Sequence, residues 1–338
     1  MRRGGEGVAG RRNRVRKGTR HPLSLRLVLA LLLAALVPAV FAQTRIEGGP
    51  PPLRDYAIDV WTSRNGLPHN SLRDIAQTPE GHLWFATWEG LVRYNGLDFT
   101  VFDRSTRPGV PDNGIGALLV DRQGGLWISD SRGNVTYRAA DGRWTVRPRE
   151  AHSPQVLIND MDMDSHGRLW LLYEGKGLGA LEADGRFQYQ PPPPDLPMAL
   201  SFTKMVVDAQ DRVWVGTLDG LVLRDNDGVL KRAPAAWGVG EGLVWPYRAP
   251  DGVVWIVAGE RIYRLQEDRL VLEHRIPGQI HMTAMLQDRH GDLWLGTENQ
   301  GLLRISRHGL ERLPAGLNLP GGRVVSLRED AEGSIWVG

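Results

Sequence analysis

The apolar residues of this chain fall in short runs of four to eight positions, and clusters rich in Gly, Asp and Asn separate the runs. Positions 280–305 illustrate the pattern, because their three apolar runs are interrupted at 288–291 and again at 298–301. No run has the spacing of three and four residues that marks an amphipathic helix, whereas short runs bounded by turn residues are typical of strands. The pattern therefore predicts an all-β chain.

The runs recur with a fixed period, and one aromatic position makes the period visible. A tryptophan that follows an aliphatic residue returns at intervals of 39 to 44 residues, at Trp84, Trp127, Trp170, Trp214, Trp255, Trp294 and Trp336. Five of the turns before these tryptophans begin with an aspartate, at Asp121, Asp164, Asp208, Asp288 and Asp330. Asp can bond its own backbone two residues on, and the Gly found later in most of these turns accepts positive φ. The unit is therefore a turn followed by a buried strand.

Four short strands in about 42 residues is the size of one β-propeller blade. We predict a seven-bladed β-propeller with four antiparallel strands per blade, of which six blades are complete and the seventh is truncated. We expect the repeat tryptophans to fill the space between adjacent blades, because each lies inside an aliphatic run. The seventh repeat stops at Gly338, soon after Trp336. We therefore expect the propeller domain, 56–338, to be incomplete at its C-terminus and the chain to be a fragment of a longer protein.

The formal net charge of +2 is the sum of two parts with opposite sign. Residues 1–42 contain nine Lys or Arg and one acid. The whole chain has 41 Lys or Arg and 39 Asp or Glu, so residues 43–338 contain 32 basic and 38 acidic residues. The body therefore carries about −6, which argues against a nucleic-acid partner, because phosphate backbones are bound by basic surfaces. The chain has no cysteine, so these residues fold without disulfides.

The start of the chain has the layout of an export signal. A basic head leads into the apolar run 27–40, and Val40 and Ala42 stand at the −3 and −1 positions of a cleavage site. We predict a signal peptide at 1–42 and a linker at 43–55. A membrane span needs ~20 apolar residues, so an uncleaved anchor is the less favoured interpretation.

Three acids alternate in the third repeat, at Asp160, Asp162 and Asp164. On a strand this spacing places the carboxylates on one face, which would suit a hard cation such as Ca²⁺. The alternative, which we favour, assigns Asp164 to the turn of its repeat and leaves the other two solvated near the channel mouth. The sequence has no paired His spacing for zinc, no Ser-His-Asp order and no evident phosphate-binding loop. We expect no catalytic, cofactor or metal site in this chain.

The motifs at 65–75, which read Asn-Gly-Leu-Pro-His-Asn-Ser-Leu-Arg-Asp-Ile, and at 81–99 resemble the two-component regulator propeller repeat. The resemblance extends from about Tyr56 to Gly338 and is most specific in the first, fourth and sixth repeats. There Ala-Thr or Gly-Thr is followed closely by Gly-Leu. The second, third and fifth repeats depart from this step, with Ser129-Asp130, Leu172-Tyr173 and Val257-Ala258 in its place.

This resemblance implies an extracytoplasmic, ligand-sensing input domain, exported to the periplasm as part of an inner-membrane protein. A histidine kinase or a diguanylate cyclase would follow, reached through a membrane span in a C-terminal part outside this chain. A homodimer is one assembly open to the full-length protein. The external ligand is unknown, and a carbohydrate is one candidate. The segment Tyr56 to Trp61 would supply the outer strand of the last blade and close the ring.

A secreted single-domain enzyme resembling streptogramin lyase is the alternative function. Such lyases are propellers with a similar Gly-x-Leu-Trp-Phe step, which this chain has at 81–85. They lack the Gly-Leu-Pro-x-Asn-Ser opening that is present here at 66–71. The opening therefore favours the sensor.

Trp88 and Glu89 are the candidate ligand contacts. They stand at a turn where other repeats carry small or polar residues, so this pair breaks the pattern of the array. The other interpretation is a solvated turn whose aromatic ring rests on a neighbouring blade.

We predict that export removes residues 1–42. The mature protein should begin at or near Gln43, because the apolar run of 14 residues ends just before the small residues of the cleavage site. N-terminal sequencing of the exported protein checks this prediction. A mature protein that retains Arg2 would contradict cleavage and favour an anchor.

Overall fold

The apolar runs form 26 short β-strands within the residues that the computed structural model describes. Those residues are 51–106, 108–194, 196, 204–240, 242–278, 280–313 and 322–338. The predicted signal peptide, 1–42, and most of the predicted linker lie outside the described residues. Three short 3-10 helices accompany the strands, at Leu53–Asp55, Ser63–Asn65 and Ala235–Trp237.

The first three sheets, here called blades 1 to 3, contain four strands each. Blade 1 consists of β1 Leu72–Gln77, β2 Leu83–Thr87, β3 Gly90–Tyr94 and β4 Phe99–Phe102. Blade 2 consists of β5 Ile115–Val120, β6 Leu126–Asp130, β7 Val135–Arg138 and β8 Trp144–Arg147. Blade 3 consists of β9 Ile158–Met163, β10 Leu169–Tyr173, β11 Gly177–Leu181 and β12 Phe187–Gln190.

Three further four-stranded blades and a two-stranded sheet follow. Blade 4 consists of β13 Lys204–Val207, β14 Val213–Thr217, β15 Gly220–Arg224 and β16 Leu230–Arg232. Blade 5 consists of β17 Val244–Arg248, β18 Val254–Ala258, β19 Arg261–Gln266 and β20 Arg269–Arg275. Blade 6 consists of β21 Met282–Gln287, β22 Leu293–Thr297, β23 Leu302–Ser306 and β24 Gly309–Arg312. Blade 7 consists of β25 Leu327–Glu329 and β26 Ile335–Val337.

Within each blade the strands lie side by side in chain order, and neighbours are antiparallel. The first strands of successive blades contact one another in turn, and β25 contacts both β21 and β1. First strands that surround a common axis in this way define a β-propeller. The predicted all-β propeller with six four-stranded blades is confirmed, and blade 7 has two strands among the described residues.

The repeat tryptophans lie between adjacent blades. Trp84 of blade 1 is in one apolar cluster with Ile128 of blade 2, and the other tryptophans make the corresponding contact with the blade that follows. Trp336 of blade 7 packs against blade 1, with its ring centre 5.7 Å from that of Phe85. Trp127 and Trp336 are partly exposed, and the other five are buried.

A hydrogen bond joins most of these tryptophans to the turn before them. In five blades the indole Nε1–H donates to an aspartate six residues earlier, with N···O distances of 3.0 Å (Trp127–Asp121), 3.3 Å (Trp170–Asp164), 2.7 Å (Trp214–Asp208), 2.8 Å (Trp294–Asp288) and 2.7 Å (Trp336–Asp330). The second carboxylate oxygen accepts N–H groups two and four residues on, as Asp208 does from Gln210 and Arg212. In blade 1, Thr78 Oγ1 takes the place of the carboxylate, at 3.1 Å from Trp84. One side chain therefore holds both the turn and the ring.

Blade 5 lacks this hydrogen bond. The residue six positions before Trp255 is Ala249, and the buried Nε1 of Trp255 has no hydrogen-bond partner among the described residues. The turn itself is retained, because the N–H of Gly252 donates to the carbonyl of Ala249 at 2.9 Å. A buried N–H without an acceptor costs on the order of 1–3 kcal/mol. Blade 5 is therefore the repeat in which the tryptophan is held least well.

The segment from Tyr56 to Trp61 does not form the outer strand that the sequence led us to expect. Tyr56 lies edge-on to Trp294 at 5.6 Å between ring centres, and Trp61 stacks on Trp336 at 5.1 Å. The segment thus runs beside blade 7 without strand pairing, and the two line a shared cavity of about 570 Å³. An outer strand pairs with the third strand of its blade, and blade 7 has no third strand among the described residues.

Replacing Ala249 with Asp should stabilise the protein. The new carboxylate would accept the orphan indole N–H of Trp255, and a net gain of about 1 kcal/mol is typical of such a bond. Denaturant unfolding of the wild type and A249D measures the change. The converse variant, Asp208→Ala, removes the equivalent bond in blade 4 and should shift the midpoint the other way. A midpoint for A249D at or below that of the wild type would count against this account.

Candidate ligand site at the channel mouth

The predicted contact residues, Trp88 and Glu89, form the turn between β2 and β3 of blade 1. The hydroxyl of Thr87 accepts the N–H of Glu89 at 3.1 Å and donates to the carbonyl of Gly90 at 2.7 Å, which fixes the turn. Trp88 is 41% exposed, in contrast to the five repeat tryptophans that are buried. The turn therefore presents an indole ring and an exposed acidic residue at one end of the blade.

An arginine of the inner strand β1 lies against this indole. The guanidinium carbon of Arg73 is 4.7 Å from the centre of the Trp88 ring, which is a cation–π contact. Its Nη2 donates to Oδ1 of Asn159, two blades away, at 3.4 Å. Gly116 has the same repeat position in the intervening blade 2, so no side chain stands there. Burial lowers the pKa of Arg73, and nearby Glu174 acts in the opposite direction.

Asp74, the next residue of β1, belongs to a buried ionic network. Its Oδ2 accepts the N–H of Leu118 in blade 2 at 2.8 Å. Lys204 of blade 4 places its Nζ 2.9 Å from Oδ1 of Asp160 in blade 3. Burial raises the pKa of Asp74, and the charge of Lys204 opposes this. Burial also acts to lower the pKa of Lys204, but Asp160 and Asp74 outweigh it and raise that pKa. The ammonium group therefore stays charged beside two carboxyl groups.

Asp162 joins three blades. Its Oδ2 accepts the N–H of Val207 in blade 4 at 2.7 Å, and its Oδ1 is bonded to Nη2 of Arg248 in blade 5. Burial raises the pKa of Asp162 to about 6, although Arg248 and the N–H of Val207 act in the opposite direction. The pKa of Asp162 in the folded state lies above the ordinary value of 3.8, so its contribution to stability is greatest below pH 3.8. The contribution declines as the pH rises towards about 6.

The interpretation that left Asp160 and Asp162 solvated was wrong. Each is 5% exposed, and each binds a backbone N–H of blade 4, as Asp160 does with Met205 at 2.7 Å. The physical reason is that the first strand is the inner edge of its sheet, so some of its N–H groups have no partner within the blade. The preceding blade supplies carboxylates as acceptors. Asp164 stays in its turn and binds Trp170, so the three acids do not share one cation.

One group of acidic and histidine side chains does converge among the described residues. Asp164, His166 and Asp211 offer ligand atoms within 4.8 Å of one another. These groups are already engaged, because Asp211 accepts the N–H and the hydroxyl of Ser165 at 2.7 and 2.6 Å and lies 3.1 Å from Nδ1 of His166. Asp211 has φ of 61° where other turns carry Gly. Its carboxylate joins the turns of blades 3 and 4.

Sequence reasoning placed Trp88 but missed the charged residues beneath it. Arg73 and Asn159 each lie eleven residues before a repeat tryptophan, so an alignment of the repeats would have put them at one position. Their contact was not readable, because it joins blades 1 and 3, which are not adjacent in the ring. Lys204 and Arg248 gave no signal, since an isolated cation on a strand is usually solvated.

Four segments of the chain match the family model described as two component regulator propeller, at residues 66–89, 109–132, 276–299 and 318–338. They include the first, second, sixth and seventh repeat tryptophans, so the resemblance inferred from the motifs is confirmed. No curated protein matches the chain. Among the residues that the structure describes, no helix is long and apolar enough to cross a membrane.

Solved structures share the propeller fold at low sequence identity. A protein described as the extracellular domain of a hybrid two component system, BT3049 from B. thetaiotaomicron, has a TM-score of 0.68 and 19% identity over 83% of this chain and 40% of its own. A streptogramin B lyase has a TM-score of 0.61 and 18% identity over 80% and 91%. An inactive virginiamycin B lyase from Staphylococcus aureus has a TM-score of 0.60 and 15% identity over 79% and 91%. At these identities the likeness establishes the fold alone. The chain spans about two fifths of the first of these proteins.

Asp162→Ala should destabilise the propeller. The substitution leaves the buried N–H of Val207 without its acceptor, which typically costs ~1–3 kcal/mol, and it removes the partner of Arg248, whose side chain is 34% exposed. Denaturant unfolding measures the loss, with Asp184→Ala as the control because Asp184 is exposed on an outer hairpin. Equal midpoints for the two variants would show that the buried network does not hold the blades together.

Proposed function

We propose that this chain, which is built of two-component regulator propeller repeats, is the extracytoplasmic, ligand-sensing region of a transmembrane signalling protein. The observation that carries the proposal is the match of four segments to that repeat family. The likeness to an extracellular domain of a hybrid two component system supports the same placement. The output, a histidine kinase or a diguanylate cyclase, would lie beyond residue 338 and be reached through a membrane span.

The proposed sensor is a closed ring of seven blades. Support comes from the contact between β25 and β1 and from the packing of Trp336 against blade 1. A third strand would extend blade 7, and the segment from Tyr56 to Trp61 would then pair with it as the fourth, outer strand. The cavity of about 570 Å³ beside this segment is the space that an added strand would occupy.

Ligand recognition is assigned to the channel mouth around Trp88 and Glu89. An exposed indole with an acidic residue beside it lies against the partly buried Arg73 there, and such combinations suit an unidentified external ligand with polar groups, a carbohydrate among the candidates. Sensing requires that the ligand bind two states of the full-length protein with different affinity. A homodimer is one assembly in which the two states would differ across the membrane.

The alternative is a secreted single-domain enzyme like the streptogramin lyases. This chain covers 91% of a lyase of that kind, so a propeller of similar size functions there as a whole protein. The likeness concerns the fold, and function resides in the site rather than in the fold. The two candidates differ in one accessible property, since the sensor is retained by a membrane and the enzyme is released.

Location can be measured because the chain contains no cysteine. We expect Leu97→Cys, at a position 85% exposed, to react with a membrane-impermeant maleimide in intact cells whose outer membrane is permeabilised. When the substitution is made in the full-length protein, which includes the proposed membrane span, the labelled protein should sediment with the inner membrane. The control Ala86→Cys, at a fully buried position, should react only after denaturation. Labelling of L97C only after cell lysis would refute export, and labelled protein in the soluble fraction would favour the secreted enzyme.

A further inference from the structure

A cavity of about 500 Å³ lies in the cleft between blades 2 and 3, at the end that carries the Asp turns. The partly exposed ring of Trp127 lines it, with the ring centre of Tyr137 at 4.5 Å. Leu169 and Leu181 of blade 3 supply apolar contacts on the other side. Small-molecule sites in proteins typically have volumes of about 300–1,000 Å³ and mostly apolar linings. The cleft therefore has the size and the aromatic surface of a binding site.

The two neighbouring clefts differ from this one in a side chain that covers the tryptophan. In blades 2 and 4 an arginine on the third strand pairs with the residue directly before the repeat tryptophan. This arginine covers the repeat tryptophan of the preceding blade. The guanidinium carbon of Arg138 is 5.2 Å from the centre of the Trp84 ring, and that of Arg224 is 4.6 Å from the centre of the Trp170 ring. In blade 3 the same position is Leu181. Leu181 places no guanidinium over the tryptophan of blade 2, which remains partly exposed.

A second replacement widens the cleft. In blade 1, Phe102 on β4 lies 5.7 Å from Trp84 between ring centres and helps to close the first cleft. The register of the third and fourth strands places Arg147 at the same position in blade 2, where it is exposed. Trp84 is fully buried, whereas Trp127 retains accessible surface. Both differences from the neighbouring clefts thus fall on one cleft.

The basic and acidic residues that line the cavity differ in whether they already have partners. Arg122 and Arg147 line the cavity, and neither has an ion pair among the described residues. The acids of the lining are already engaged: Asp121 and Asp164 bind their own turns and indoles, and Glu182 lies 2.9 Å from Nε of Arg168. Two guanidinium groups therefore remain to meet an anion beside an aromatic surface.

We propose that this cleft binds a small aromatic carboxylate. The flat ring would pack on Trp127 and against Leu181, and the carboxylate would meet Arg122 and Arg147, whose planar guanidinium groups match carboxylate geometry. The cleft opens at the turn before the second strands, whereas Trp88 lies at the turn after β2. The inference therefore goes beyond the sensor proposal and stands or fails separately from it.

The first measurement uses 2-naphthoate as the probe and the purified chain as the receptor, with titration calorimetry and tryptophan fluorescence as readouts. We expect saturable binding of one equivalent. The neutral analogue 2-naphthamide should bind at least about tenfold more weakly, because it lacks the charge that pairs with the arginines. Absence of saturable 2-naphthoate binding, or equal binding of the amide, would overturn the proposal.

The second measurement locates the bound probe. Leu181→Arg installs the side chain that covers the tryptophan in the neighbouring clefts, so it should abolish binding and leave the melting temperature unchanged or raised. If L181R does not fold, Arg147→Phe installs the residue of the first cleft and should block the site in the same way. Binding that survives the blocking variant would place the probe elsewhere and refute the assignment.

The third measurement tests the charge. The double variant Arg122→Gln with Arg147→Gln should weaken 2-naphthoate binding about tenfold or more, since it removes both cations of the lining. The double variant Arg64→Gln with Arg269→Gln is the matched control, because it removes two charges from exposed arginines outside the cavity. Equal losses in the double variant and the control would reduce the effect to net charge and overturn the paired-arginine site.

Discussion

The hydrogen bond between the repeat indole and the carboxylate six residues earlier is the contact on which this propeller depends. Each blade buries one face against the next, and the tryptophan is the largest side chain in that interface. Its single polar atom needs an acceptor there, because an unpaired buried N–H is costly. The aspartate that accepts it also binds two N–H groups of its own turn. Turn geometry, strand position and packing between blades are thereby set by one pair of side chains.

This coupling explains which part of the fold was predictable from the sequence. The repeat tryptophan and the turn aspartate recur with the same period and lie six residues apart. Their spacing therefore predicts a blade from the sequence. Blade 5 shows that the period survives when the acceptor is lost at Ala249, since the turn and the strands remain. The outer strand expected at Tyr56 to Trp61 was not predictable in the same way. Strand pairing there depends on a neighbour that is distant in the chain.

The aspartates of the inner strands bind the next blade rather than their own turn, and the sequence repeat does not reveal this. Asp74, Asp160 and Asp162 accept N–H groups from the edge of the next blade, so their role depends on which of those groups lack a partner. Asp162 and Asp164 are two residues apart and chemically identical, yet one spans blades and the other closes a turn. Repeat phase identifies Asp164, but only the arrangement of blades identifies Asp162. The candidate contact Trp88 was visible because it breaks the phase, whereas its partner Arg73 was not.

Departures from the repeat are therefore where this scaffold gains chemistry. A residue that follows the pattern is mostly engaged in packing or in a turn. Arg73, on the inner strand of blade 1, contacts both Trp88 and Asn159 two blades away. Leu181 stands where the two neighbouring blades carry an arginine, and the ring of Trp127 beside it remains partly exposed. Because each blade contacts mainly its neighbours, such a change alters one cleft while the rest of the ring keeps its packing. A repeat array can thus differentiate its surfaces one blade at a time.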